Sequence, residues 1–98
     1  MTKKLDQIIV VDVESTCWQG APPRGQESEI IEIGICPVEI ASGQRLGKES
    51  ILVKPMCSTV SKFCTKLTTL TQEQVDTGIT FKEACAILEN KYLSKYRV

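Results

Sequence analysis

Apolar residues follow two rhythms along this chain, and the change of rhythm divides it. Residues 8–13 open with four β-branched residues, Ile8-Ile9-Val10-Val11, a run that reads as a buried strand. Residues 29–38 alternate instead. Ile31, Ile33 and Ile35 share one face of a second strand, and Glu32, Gly34 and Cys36 share the other. Residues 46–53 make a third strand that ends before Pro55. Between the first two strands, residues 19–28 carry Gly20, Pro22, Pro23 and Gly25 and read as a loop. Ser42-Gly43 turns the chain between the second and third, which predicts an antiparallel meander.

Past residue 60 the period becomes helical. Residues 61–67 predict a short helix. Thr71-Gln72-Glu73-Gln74 fits a capping box that opens a helix of one or two turns, ended by Gly78. Thr80-Phe81-Lys82-Glu83 is a second capping box and opens the best helix, over residues 81–94. Its apolar stripe is Phe81, Cys85, Leu88 and Tyr92, flanked by Ala84 and Ile87. Tyr96-Arg97-Val98 then reads as the start of a fourth strand. Three strands followed by helices predict an α/β or α+β layered fold with one exposed sheet edge.

Composition narrows the function classes only a little. A chain of 98 residues forms at most one small domain. With 42% hydrophobic and 24% charged residues, wholesale disorder is excluded. The net charge is zero, so nothing global attracts nucleic acid. The charge is unevenly spread: residues 1–53 hold five basic and eight acidic side chains, residues 54–98 seven and four. An acidic half beside a basic one suits a polyanion held through metal ions, and chance surface composition describes it equally well. The five cysteines match no zinc spacing and contain no CxxC. The start is no signal peptide and no segment is long enough to span a membrane. The expected compartment is intracellular, cytoplasmic or nuclear, with thiols reduced and no membrane partner.

The candidate chemistry sits at the end of the first strand. Asp12 and Glu14 are two residues apart, so they point to the same face, about 7 Å apart along the strand. Two acids on a core strand are unfavourable unless compensated, and a hard divalent cation compensates them while leaving positions for water and phosphate. The spacing alone also describes a polar strand end facing solvent. Asp12-Val13-Glu14-Ser15-Thr16 superficially resembles the Asp-x-Asp-x-Thr motif of aspartate-nucleophile phosphatases, although the second acid there is Asp. A trapped phosphoaspartate on Asp12 would favour that reading.

Four segments together are more specific: residues 11–17 (Val-Asp-Val-Glu-Ser-Thr-Cys), residues 29–34 (Glu-Ile-Ile-Glu-Ile-Gly), Val53-Lys54-Pro55, and residues 63–71 (Phe-Cys-Thr-Lys-Leu-Thr-Thr-Leu-Thr). In order and spacing they resemble the DEDDh 3′→5′ exonucleases, in the histone-mRNA and small-RNA branch. The resemblance implies a ribonuclease H-like three-layer fold, here its N-terminal portion over residues 1–98, as an antiparallel three-stranded meander followed by helices. It implies hydrolysis of single-stranded RNA or DNA 3′ ends with two Mg²⁺ or Mn²⁺ ions, and Asp12 and Glu14 as catalytic metal ligands. Ser15, Thr16, Cys17, Trp18, Phe63, Leu67 and Thr68 are candidates for nucleotide binding. Turn formation and core packing are the alternatives for the same residues. Glu32 reads as structural rather than a direct ligand. Thr69 stands where relatives often carry Gly.

The family also needs two further Asp and a His that activates water, and this chain has no histidine. The 98 residues are therefore expected to be inactive alone. They would act as part of an exonuclease or, in the alternative reading, as a non-catalytic fragment that binds nucleic acid or self-associates through the sheet edge.

Overall fold

The computed structural model describes residues 5–97. Three antiparallel strands stand side by side in the order β1-β2-β3: β1 (Gln7–Ser15), β2 (Ile30–Glu39) and β3 (Glu49–Leu52). Three helices follow: α1 (Lys62–Thr68), α2 (Gln72–Asp76) and α3 (Phe81–Asn90). The expected meander and the change from strands to helices are both present.

The register of β1 on β2 runs unbroken from Gln7 opposite Glu39 to Glu14 opposite Glu32, then shifts at a bulge between Glu14 and Ser15. β3 is shorter than the pattern predicts. Before Glu49 only an isolated bridge joins Val38 to Arg45, with the Leu46 amide donating to the Pro37 carbonyl. Pro37 has no N–H to return, so the ladder towards β3 fails there.

The apolar run of β1 is not buried as predicted. Ile9 is, but Ile8, Val10, Val11 and Val13 are 44–49% exposed. The reason is position: among the described residues β1 is an edge strand, and the helices cover β2 and β3. The core consists of two clusters. Ile9, Ile33, Ile35, Ile51, Val53 and Ala84 form one, with Ile87, Leu88 and Tyr92 of the α3 region packed on it. Ile31, Cys64, Leu70 and Val75 form the other, beneath α1 and α2. Ile31, Ile33 and Ile35 are buried in strict alternation as the pattern predicts, and Ile31 serves the second cluster.

Each helix start follows from its capping residue. Ser61, Thr71 and Thr80 accept from the backbone amides of Cys64, Gln74 and Glu83, and the last two close reciprocal capping boxes. α3 stops at Asn90, four residues early. Its buried line is centred on Ala84 rather than on Phe81, which is about half exposed; a small residue lets the helix axis approach the sheet. Residues 91–97 are turns, so Tyr96 and Arg97 do not start a strand, and Val98 lies outside the described residues. Arg97 instead grips the carboxylate of Asp6, at 2.7 Å from Nη2 to Oδ2, and donates from Nη1 to the carbonyl of Tyr92.

Gly78 is needed for a reason other than helix capping. The cap of α2 is Thr77, in ordinary right-handed geometry. A Cβ on Gly78 would lie 2.4 Å from the carbonyl oxygen of Leu52. This close crossing lets Ile79 donate to Leu52 and accept from Lys54, so the link between α2 and α3 is stitched to the end of β3. No helix among the described residues is long and apolar enough to cross a membrane.

Candidate functional site

Asp12 and Glu14 line one cleft of about 440 Å³, with Val10, Glu32, Gly34, Lys48 and Ser50 among the neighbours. Pairing places them there. Asp12 is opposite Gly34, whose lack of a side chain leaves room, and Glu14 is opposite Glu32. Ile33, Ile35 and Ile51 point to the other side of the sheet, into the core. The acidic pair thus sits on an open face, backed by a packed one. Glu32 accepts a hydrogen bond of 2.9 Å from the hydroxyl of Ser50. Directly opposed glutamates on neighbouring strands repel, and Lys48 and Arg45 on the rim of the cleft soften that field.

The donor set suits a hard divalent cation in part. Magnesium is commonly held by one or two carboxylates, with water and substrate phosphate completing the shell, and Asp12 and Glu14 provide two. Among the described residues, no three of His, Cys, Asp and Glu come close enough to hold an ion by themselves. Asp12 and Glu14 therefore fit as part of a metal site whose remaining oxygens come from elsewhere.

The segment after Glu14 is fastened by a network that sequence reasoning missed. Thr16 is fully buried. Its hydroxyl lies 3.0 Å from that of Ser58 and accepts from the amide of Glu29 at 2.8 Å, while its own amide donates to the Glu29 carbonyl. The Glu29 carboxylate accepts from the amides of Met56 and Cys57 and from the hydroxyl of Ser58. Burial pushes the Glu29 carboxyl up, but these hydrogen bonds outweigh it, and the group sits below the ordinary glutamate range. Glu29 and Ser58 are 29 positions apart, so no local spacing could have signalled the pair.

The nucleotide-binding candidates divide between buried and open positions. The Thr16 side chain is committed to the network. Cys17 packs beside Cys64, and burial followed by that neighbour pushes its thiol up, which keeps it protonated. The Thr68 hydroxyl turns back to the Cys64 carbonyl at 2.8 Å. Ser15 and Trp18 are half-buried. Phe63 and Leu67 do not join the carboxylate cleft; they line a separate groove of about 480 Å³ with Gln19, Lys62 and Lys66. That groove adjoins the end of β1 because Ser61 donates to the Cys17 carbonyl at 2.7 Å and the Cys64 thiol lies 3.5 Å from the Ser15 carbonyl.

An open acidic strand end, with a half-apolar, basic groove held beside it, is what a nuclease needs, and comparison with known proteins decides the matter. A family model described as exonuclease matches residues 9–96. The chain belongs to the exonuclease family. The 3′–5′ exonuclease Snipper of Drosophila melanogaster is 35% identical over 88 residues, which are 88% of this chain and 31% of Snipper. ERI1 exoribonuclease 2 of Xenopus laevis is 33% identical over 92% of this chain and 13% of its own length. The chain thus spans a third or less of these relatives. Among solved structures, the nuclease domain of 3′hExo, a DEDDh family member bound to rAMP, superposes with a TM-score of 0.80 at 29% identity, over 97% of this chain and 48% of that one. A 3′-exonuclease in a structure of 3′-end recognition of the histone mRNA stem-loop gives 0.79 at 31%, over 92% and 40%. The exonuclease resemblance and the ribonuclease H-like fold read from the sequence are therefore correct.

Proposed function

We propose that these residues supply the acidic strand and part of the nucleotide groove of a metal-dependent 3′→5′ exonuclease acting on single-stranded RNA or DNA ends. The observation that carries this reading is the placement of Asp12 and Glu14 on one open face at the end of β1, within the segment matched by the exonuclease family. The RNA substrates named for the relatives favour RNA over DNA.

In this reading Asp12 and Glu14 hold Mg²⁺ or Mn²⁺, two ions in the complete enzyme. When bound, the ions supply the positive charge that activates water and stabilises the leaving oxygen in phosphodiester hydrolysis. Gly34 keeps the cleft open for the chain end. Phe63 and Leu67 offer apolar surface to a base, and Lys62 and Lys66 face the phosphates. Trp18 and the backbone of Ser15, Thr16 and Cys17 border the terminal nucleotide, and the Glu29–Ser58–Thr16 network keeps that backbone in place. Thr68 acts through the end of α1 rather than by touching the nucleotide.

The 98 residues by themselves lack a histidine base, and we propose that they are inert alone and represent the N-terminal portion of an exonuclease domain. Loss of such a base alone lowers rates about 10²–10⁴-fold. The test is a 3′-labelled oligonucleotide assay on the purified chain and on a complete protein that contains it. Mg²⁺-dependent release of 5′-mononucleotides by the complete protein alone is expected. Robust turnover by the 98 residues would mean that the catalytic groups are misassigned.

A further inference from the structure

We infer that Cys17 and Cys64 form a thiol pair that a low-molecular-weight disulfide oxidises to an internal Cys17–Cys64 bond, locking α1 to the end of β1. This goes beyond the proposed function and does not depend on metal binding.

The geometry of two facing segments leads to it. The Ser61 hydroxyl donates to the Cys17 carbonyl at 2.7 Å, and the Cys64 thiol donates to the Ser15 carbonyl at 3.5 Å. These contacts join residues more than forty positions apart and bracket both cysteines. Cys64 is fully buried on the inner side of α1, and the half-buried Cys17 packs against the same apolar cluster. Cys64 is also the neighbour that, after burial, acts most on the Cys17 thiol. Directly interacting thiols on facing segments approach the spacing of a disulfide, whose Cα atoms lie no more than about 7 Å apart.

The other cysteines are placed elsewhere. Cys36 lines the carboxylate cleft, Cys57 is exposed on the loop after β3, and Cys85 lies on α3. Proximity therefore selects one pairing. Thiolate reactivity does not, because burial, Cys64 and the Glu14 charge together push the Cys17 thiol up and make the exchange slow at neutral pH.

The chemistry is a two-step exchange. Cys17, the more open thiol, gives its proton to water, and its thiolate attacks one sulfur of the small disulfide. The S–S bond breaks, one thiolate leaves, and a mixed disulfide forms on Cys17. Cys64 then loses its proton, attacks Sγ of Cys17 and expels the second thiolate. The cysteine pair gives up two electrons, and the small disulfide takes them and two protons to become two thiols. The product fixes the helix that carries Phe63 and Leu67 to the strand that carries Glu14.

The test is to incubate the purified 98-residue chain with oxidised glutathione, alkylate the remaining thiols and map the linked peptides by mass spectrometry. The 17–64 link is expected to exceed any other pairing at least about tenfold, as neighbouring groups react far faster than separated ones. In the urea-unfolded chain that preference is expected to vanish. Dithiothreitol is expected to reverse the link, and the oxidised chain to melt about 5 °C or more above the reduced one. Cys17→Ser is expected to leave Cys64 unlinked in the folded chain. Absence of the 17–64 link, a native mixture of pairings like that of the unfolded chain, or a link that leaves the melting temperature unchanged would each overturn the inference.

Discussion

At the scale of single residues, the strand end that carries Glu14 is located by Thr16, whose buried hydroxyl is shared between Ser58 and the Glu29 amide. Glu29 is the hub of that arrangement. Replacing it with Ala removes a charged acceptor from three donors, and charged hydrogen bonds contribute about 1.5–3 kcal/mol each to folding at most. Glu29→Ala is expected to lower stability by roughly 2 kcal/mol in urea titration, with Glu29→Gln intermediate. A change below about 0.5 kcal/mol in Glu29→Ala would show the network to be incidental. The pH dependence has a definite sign. The folded-state pKa of Glu29 is depressed, so its contribution is present above the ordinary glutamate pKa and is lost as pH falls through the folded value. Asp6, held at about 2 by Arg97, acts in the same direction as pH falls towards that value. The wild-type chain should lose more stability than Glu29→Gln between neutral pH and pH 3. Parallel curves would contradict the assignment. At the proposed metal site, Asp12→Asn or Glu14→Gln would remove a charged ligand at nearly constant size. Either is expected to lower turnover of the complete enzyme by at least about 10²-fold, more than the 10–100-fold typical when a supporting residue is lost, and to leave the fold intact. Retained turnover in both would sink the metal-site reading.

At the scale of elements, two backbone positions set how the helices join the sheet. Thr69 caps α1 at φ 68°, in the left-handed region, where its amide reaches the Thr65 carbonyl. A β-branched residue is strained there by about 1–2 kcal/mol. Thr69→Gly is expected to raise the melting temperature by several degrees, about 4–8 °C per kcal/mol for a domain of this size; a fall would show that the threonine side chain makes a compensating contact. Gly78→Ala should act oppositely. The added methyl meets the Leu52 backbone, which cannot swing away as a side chain can, so a loss of about 2–3 kcal/mol is expected. A neutral Gly78→Ala would mean that the crossing loosens freely. These two positions also mark where sequence reading succeeded and where it stopped. Capping boxes at Thr71 and Thr80 were legible because donor and acceptor lie three residues apart. The reason for Gly78 was not, because the atom it avoids belongs to a strand more than twenty residues earlier. The burial of β1 was misjudged for a related reason: a run of valines reports its preference for a strand, whereas exposure depends on which elements flank that strand.

At the scale of the whole molecule, the sheet divides its labour between faces. Helices and isoleucines fill one side, and the carboxylates occupy the other. Local pattern made the order of elements and the Asp12–Glu14 pair legible. The groove formed by Gln19, Lys62, Phe63, Lys66 and Leu67 was only partly so, since Gln19 reaches it through the Cys17–Ser61 contact between distant segments. The central claim is that the end of β1 holds a divalent cation through Asp12 and Glu14. The most direct measurement is Mn²⁺ titration of the ¹⁵N-labelled 98-residue chain, followed by paramagnetic broadening of amide signals. Broadening confined first to Asp12, Glu14 and their cleft neighbours Glu32 and Gly34, and abolished in Asp12→Asn, is the expected result. Uniform broadening, broadening centred elsewhere, or an unchanged pattern in Asp12→Asn would contradict it.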